Sequence, residues 1–374
     1  MKKEASGSLN KLLAAILIGV MLILMIGIVA SGWQTDNNGE NSGEHGDLTG
    51  NAENLNGDTD KKGGTADNFY ADENPEQKIP EHINYLTGLE IKEEYENRIP
   101  FAMVTEANTP SYGISGTELL IEIPTEKSTR FVIFKTDING LGKLGAFAST
   151  RSYITQLTGF FGGSIVSNGC DDVISYASLS PAISFDLSRF SDVMYKENGK
   201  NIYTDSDSII KISKDNNIYL ISYKKPIIPF EFADFGEAVL GKTEAKTVNI
   251  TYSEQNKTAL VYDADKQNYV LYKNERIKTD MLNGETVSFK NVFVLFADIV
   301  TYETASGTES VVKNDTSGTG YYISNGALTE IKWCKDSSGE LTFRTLIGNK
   351  LIINRGNSYI GYYKSSAMDT VTFQ

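Results

Sequence analysis

Histidine and cysteine are scarce in this chain. Its 374 residues include two of each, His45 and His82, Cys170 and Cys334. A zinc site needs three or four Cys, His or carboxylate ligands at motif spacing, so no metal and no cofactor are expected. Nucleophilic catalysis by Ser-His-Asp or Cys-His needs a histidine, and His82 is the only one beyond the N-terminal tail. Two distant cysteines do not form a disulfide framework. They either pair outside a cell or, the favoured reading, sit as separately buried small apolar residues.

Positive charge is also short. Lys and Arg number 35 against 48 Asp and Glu, a formal charge of −13. No basic patch stands ready to neutralise phosphates, so no nucleic-acid partner is expected. The same balance argues against tight electrostatic adhesion to anionic lipid or anionic wall polymer.

What is present begins with one long apolar run. Leu12 to Gly32 carries no charge. As a helix rising about 1.5 Å per residue it would span roughly 30 Å, the thickness of a bilayer core. Lys2, Lys3 and Lys11 precede it, while Asp36, Glu40, Glu44 and Asp47 follow. The positive-inside rule then predicts a cytoplasmic segment over 1–11, a single transmembrane helix over 12–33, and an extracytoplasmic remainder. A cleaved signal peptide is the competing reading, but its apolar region is usually shorter. No cysteine lies near the end of the run, so a diacylglycerol anchor is not expected. Residues 34–78 are Gly, Asn, Asp, Glu and Thr almost throughout, and read as a disordered acidic linker.

Beyond the linker the expected class is α+β. Over 79–240 a mixed α/β-layer domain is predicted, with strands at Phe101–Thr105, Leu119–Ile123 and Arg130–Phe134. Apolar spacing predicts helices over Thr150–Phe161, Asp186–Tyr195 and Asp205–Ile212, the first capped by Ser149 or Thr150 and stopped by Gly162-Gly163. Tyr219–Tyr223 reads as a strand. Over 241–374 the texture becomes an antiparallel β-rich subdomain. Nine runs of β-formers lie between turns, from Thr247–Tyr252 to Tyr359–Tyr363. Asp263–Asn268 reads as a hairpin turn. The tyrosines of this half read as strand formers with buried rings rather than as a sugar-binding platform.

With these segments located, the chain resembles the YerB-like family of bacterial extracytoplasmic lipoproteins, a domain of unknown function, over about residues 84–365. Asn84-Tyr85-Leu86-Thr87-Gly88-Leu89 matches five of six positions of the family's opening N-P-L-T-G-L. Arg98-Ile99-Pro100 matches its Arg before a strand, and Glu122 its acidic strand end. Lys127 to Phe131 and Leu144 to Arg151 correspond to its G-I-T-R-F and I-G-P-V-R-S-A-R blocks. Lys290 to Val294 and the Gly318-to-Trp333 stretch echo its second half. The chain departs where the family's first Arg of R-S-A-R is Ala148, where its His is Lys278 before Thr279-Asp280, and where its lipid-bearing Cys is missing.

The candidate ligand-binding set is Glu122, Arg130, Ser149 and Arg151. Arg presents a planar fork suited to carboxylate or phosphate, and the hydroxyls add donors. The competing reading makes Glu122 and Arg130 a cross-strand ion pair and Arg151 a surface charge. No catalytic residue is assigned. The expected function is a membrane-anchored cell-envelope module that binds a wall component or partner protein without catalysis. The alternative is a carboxylate-dependent glycan-cleaving enzyme drawing on Glu122, Asp137, Asp171 or Asp172.

Overall fold

A computed structural model describes residues 79–126, 128–169, 184–187, 190, 192–215, 229–304, 307–313, 317–335 and 340–374. The predicted span over 12–33, the linker over 34–78, Cys170, Asp171, Asp172 and the Tyr219–Tyr223 strand lie outside the described residues. Among the described residues no helix is long and apolar enough to cross a membrane.

The fold is strand-rich with few helices. Its largest element is a mixed sheet of fourteen strands. Within it β1 (Phe101–Glu106), β2 (Leu119–Pro124) and β3 (Thr129–Lys135) pair antiparallel in the order β2-β3-β1. A second sheet of six strands contains the meander β4 (Thr247–Ser253), β5 (Asn256–Asp263), β6 (Asn268–Lys273) and β7 (Arg276–Ile277). The chain then returns to the large sheet with β8 (Asn291–Ala297) and, near its end, β9 (Ser358–Lys364). β9 runs parallel to both β8 and β2, pairing Leu119 with Ser358 and Glu122 with Gly361. Strands from either side of residue 240 are thus hydrogen-bonded neighbours in one sheet.

Both faces of the large sheet are covered, which explains its continuous apolar runs. Leu120, Phe131, Ile133, Val292 and Val294 pack with Val248, Ile250, Leu260 and Leu271 of the six-stranded sheet. On the opposite face Leu119, Ile121, Ile123 and Phe134 pack with Ile154 and Leu157 of helix α1 (Ser152–Phe160). Each such side chain contributes about 1.5–3 kcal/mol by burial. The six-stranded sheet has one wet face, so its strands alternate: β6 is buried at Tyr269, Leu271 and Lys273 and less so between them.

Most predicted elements form within a residue or two of their expected ends. All nine β runs of the second half are strands, with Val292–Tyr302 broken at Asp298 into two. The Asp263 turn forms, its carboxylate accepting from the Asp265 and Lys266 amides. Helix α1 stops at Gly162, whose φ of 65° is the left-handed conformation a glycine takes freely. Its N-cap is Arg151 in extended backbone, without a side-chain cap, rather than Ser149 or Thr150. Helix α2 (Ser206–Asp215) is capped by Asp205, which accepts from the Ser208 amide at 2.7 Å. The helix predicted over Asp186–Tyr195 is corrected. Ser184–Asp186 and Tyr195–Glu197 are strands, held by pairing to Ser164–Ser167 and Asn201–Asp205. Sheet hydrogen bonds there override a four-residue apolar spacing.

Candidate functional site

The strand period of two separates the predicted set. On β2, Glu122 follows the phase of Leu120 and points toward the six-stranded sheet. On β3, Arg130 is paired in register with Ile123 and shares the opposite face. Arg130 donates to Glu106 of β1 at 2.6 Å and to the Ser128 hydroxyl at 3.0 Å. Arg151, at the start of α1, donates to Glu126 at 3.0 Å and to the Ser149 hydroxyl at 3.2 Å. Glu126 also accepts from the Ser310 amide at 3.0 Å. Burial alone would raise the Glu126 carboxyl, but the Arg151 and Ser310 donors outweigh it and hold it below its ordinary range. Arg130 and Arg151 therefore sit on one side of the sheet in matched ion pairs, with Ser149 hydrogen-bonded to Arg151, and Glu122 lies on the other. The expected Glu122–Arg130 pair is replaced by two others.

Glu122 is sealed from solvent and has four donors. Thr129 Oγ1 (2.6 Å) and Lys273 Nζ (2.6 Å) serve Oε1. Thr258 Oγ1 and Tyr359 OH, each at 2.8 Å, serve Oε2. Lys273 uses its other two protons on Asn256 Oδ1 (2.7 Å) and Thr258 Oγ1 (2.8 Å). A buried carboxylate and a buried ammonium each reach full hydrogen-bond capacity, the condition for burying such a pair at all. The network joins β2, β3 and β9 of one sheet to β5 and β6 of the other.

Sequence reading nominated Glu122 but missed its partners. A signal existed. Lys273 continues the inward phase of Tyr269 and Leu271, and Asn256 and Thr258 hold inward positions of β5. Polar residues in a core phase need partners.

Lys273 also opens onto a surface feature. A two-residue turn, Asn274 and Glu275 with φ of 48° and 66°, places Arg276 directly across from Lys273. Two residues on, Lys278 donates to the Ala107 and Thr109 carbonyls at 3.0 and 2.6 Å. Between this segment and residues 107–110 lies a cleft of about 630 Å³, lined by Lys273, Arg276 and Lys278 among others. Burial, with repulsion from Lys273 and partial relief from Glu122, pushes the Lys278 amine down to about 8. Asp280 fastens the far end. It accepts from the Gly113 amide (3.0 Å), the Ser115 amide (2.7 Å), the Ser115 hydroxyl (2.8 Å) and the Leu282 amide (2.9 Å). Burial works to raise its carboxyl, and these donors more than reverse that.

Of the other nominated carboxylates Asp137 lies among the described residues, and it is exposed. Asp137 accepts from the Asn139 amide, and His82 pairs with Glu96 at 3.0 Å. Among the described residues no group of three or more His, Cys, Asp and Glu could hold a metal ion. Cys334 is a free thiol 3.3 Å from the Thr342 hydroxyl.

Residues 248–360 match the family described as protein of unknown function DUF3048, C-terminal domain. That stretch holds Asn256, Thr258, Lys273, Arg276, Lys278, Asp280 and Tyr359. The crystal structure of the YerB protein from Bacillus subtilis is similar in fold, with a TM-score of 0.65 and 21% identity over 78% of this chain and 99% of that one. No curated protein matches the chain. Residues 248–360 thus match the DUF3048 C-terminal domain, a domain of unknown function, and the chain has a YerB-like fold.

Proposed function

We propose that the protein is a membrane-anchored, extracytoplasmic binding module that takes an anionic group of an envelope component in the cleft above Lys273. One observation carries this. Lys273, Arg276 and Lys278 converge on one cleft with Glu122 as the one carboxylate engaging them among the described residues, in a chain whose net charge is −13. Like charges directly opposite across a hairpin destabilise it. Holding Lys273 against Arg276, with Lys278 kept near Lys273, makes sense where an anion completes the site. The overall acidity argues against diffuse adhesion to polyanions, but a local surplus of cations favours one anionic group.

A binding role is favoured over glycan cleavage by the state of Glu122. Retaining and inverting glycosidases both need two carboxylates flanking the scissile bond. Glu122 has both oxygens engaged beneath the cleft, and the cleft lining presents cations. The N-terminal apolar run supports the anchor, and the acidic stretch after it would give the module reach.

Calorimetric titration of the full-length chain in phosphatidylcholine nanodiscs with methyl phosphate tests the site. Binding at pH 7 that disappears in Lys278→Met is expected; no binding at pH 7 sinks the proposal. The anchor is tested by membrane fractionation in the presence of lipoprotein-processing inhibitors. The full chain should stay in the membrane, and a soluble product beginning near Ser31 would refute it.

A further inference from the structure

The cations occupy only part of the cleft wall. Pro110, Ile277 and Met281 line the same volume, and Ile277 and Met281 are 49% and 50% exposed. Large apolar side chains held open to water beside a ring of cations are a costly arrangement for a module that grips only a hydrated ion. The supply of protons points the same way. Lys273 has all three engaged, and Lys278 has two donated to carbonyls. One proton of Lys278 and the exposed Arg276 fork remain, enough for one anionic head but few for stripping the hydration of a small multivalent ion. The cleft's 630 Å³ is also of the size that buries a drug-sized molecule rather than a lone phosphate.

We infer that the cleft's ligand is an amphiphilic anion, its phosphate or carboxylate head held by Lys278 and Arg276 and its apolar body lying along Pro110, Ile277 and Met281. This rests on the reading of the cleft as an anion site and adds the class of molecule that fills it. The apolar body supplies affinity by leaving water, while the head sets orientation.

The test compares methyl phosphate with hexyl phosphate on the full-length chain in phosphatidylcholine nanodiscs, with hexanol as the control for partition into the disc. Hexyl phosphate should bind about tenfold more tightly, the equivalent of about two of its added methylenes leaving water. In the double variant Ile277→Ser/Met281→Ser that preference should shrink toward one, with methyl phosphate affinity unchanged. Lys278→Met should weaken both ligands. Equal affinity for the two phosphates in the unaltered chain overturns the inference and leaves the anion site standing. No binding of either overturns both. Repeating the titration in discs containing phosphatidylglycerol separates the sources. Selective weakening of hexyl phosphate identifies a membrane lipid as the natural competitor, and unchanged affinity identifies a soluble organic anion.

Discussion

Lys273 Nζ stands 2.6 Å from Oε1 of Glu122, 151 residues away in the chain, and solvent barely reaches either side chain. The two come from different sheets, so their pairing is a condition on how the sheets dock. Removing one partner strands the other as a buried charge.

Glu122→Gln should therefore cost about 3–5 kcal/mol, because Lys273 is left without its counter-charge. The double variant Glu122→Leu/Lys273→Met should recover most of that. Urea denaturation of the three proteins measures it. A Glu122→Gln protein as stable as the parent would contradict the buried pair. The same loss of stability means that a change in any activity on Glu122→Gln cannot be assigned to chemistry without a folding control.

Lys278 makes a pH prediction. Its amine is held near 8, below the ordinary lysine value of 10.5. Between those values the unfolded chain binds more protons than the folded one, so stability rises with pH across that window. The group's contribution amounts to about 3 kcal/mol, with the full penalty present below pH 8. Subtracting the stability curve of Lys278→Met from that of the parent should expose this rise between pH 8 and 10.5. Parallel curves would show that Lys278 titrates normally. Binding of an anion should run the opposite way and fade as pH climbs through 8.

Asp280 is the clasp between the 107–117 segment and the 277–287 segment. Gly113 takes a φ of +85°, and a Cβ there would stand 2.4 Å from the Leu144 side chain, so the loop it holds has little freedom to adapt. Asp280→Ala should destabilise by about 2–4 kcal/mol, since amide and hydroxyl donors lose a charged acceptor. Hydrogen exchange should quicken at the Gly113 and Ser115 amides first. Because the carboxyl is held below its ordinary range, its contribution is present above that range and lost as pH falls through the lowered value.

On the other face, Glu126 ties Arg151 to the Ser310 amide. Glu126→Gln should cost about 1–2 kcal/mol and speed exchange at Ser310, while Ser149→Ala should change stability by less than about 1 kcal/mol. If Ser149→Ala abolishes anion binding and Lys278→Met leaves it unaffected, the site lies at the Arg130–Arg151 face and not at the cleft.

Much of the local structure was legible because short-range physics writes it. Runs of β-formers between turns located β4, β5 and β6, and the Asp263 turn and Gly162 stop are single-residue signals. The helix expected over Asp186–Tyr195 failed because strand partners at Ser164–Ser167 and Asn201–Asp205 hold its two ends. The candidate site was half legible. Glu122 stood out as a charge in an apolar run, and Lys273 had the same property in β6. Reading the two as each other's complement needed the docking of the sheets.

The sequence alone determined that metal and histidine chemistry have little material here, that the chain alternates as strands, and that a charged residue at an inward strand position must find a partner. It also carries the apolar run from which the anchor is proposed. The tertiary structure decided which partner. Alternation specifies the face of a side chain but not the strand across from it, and β2 meets β9 in register across more than two hundred intervening residues of sequence. That docking puts Glu122 and Arg130 on opposite sides of one sheet, gives Glu122 to Lys273, and leaves Arg276 and Lys278 facing a cleft.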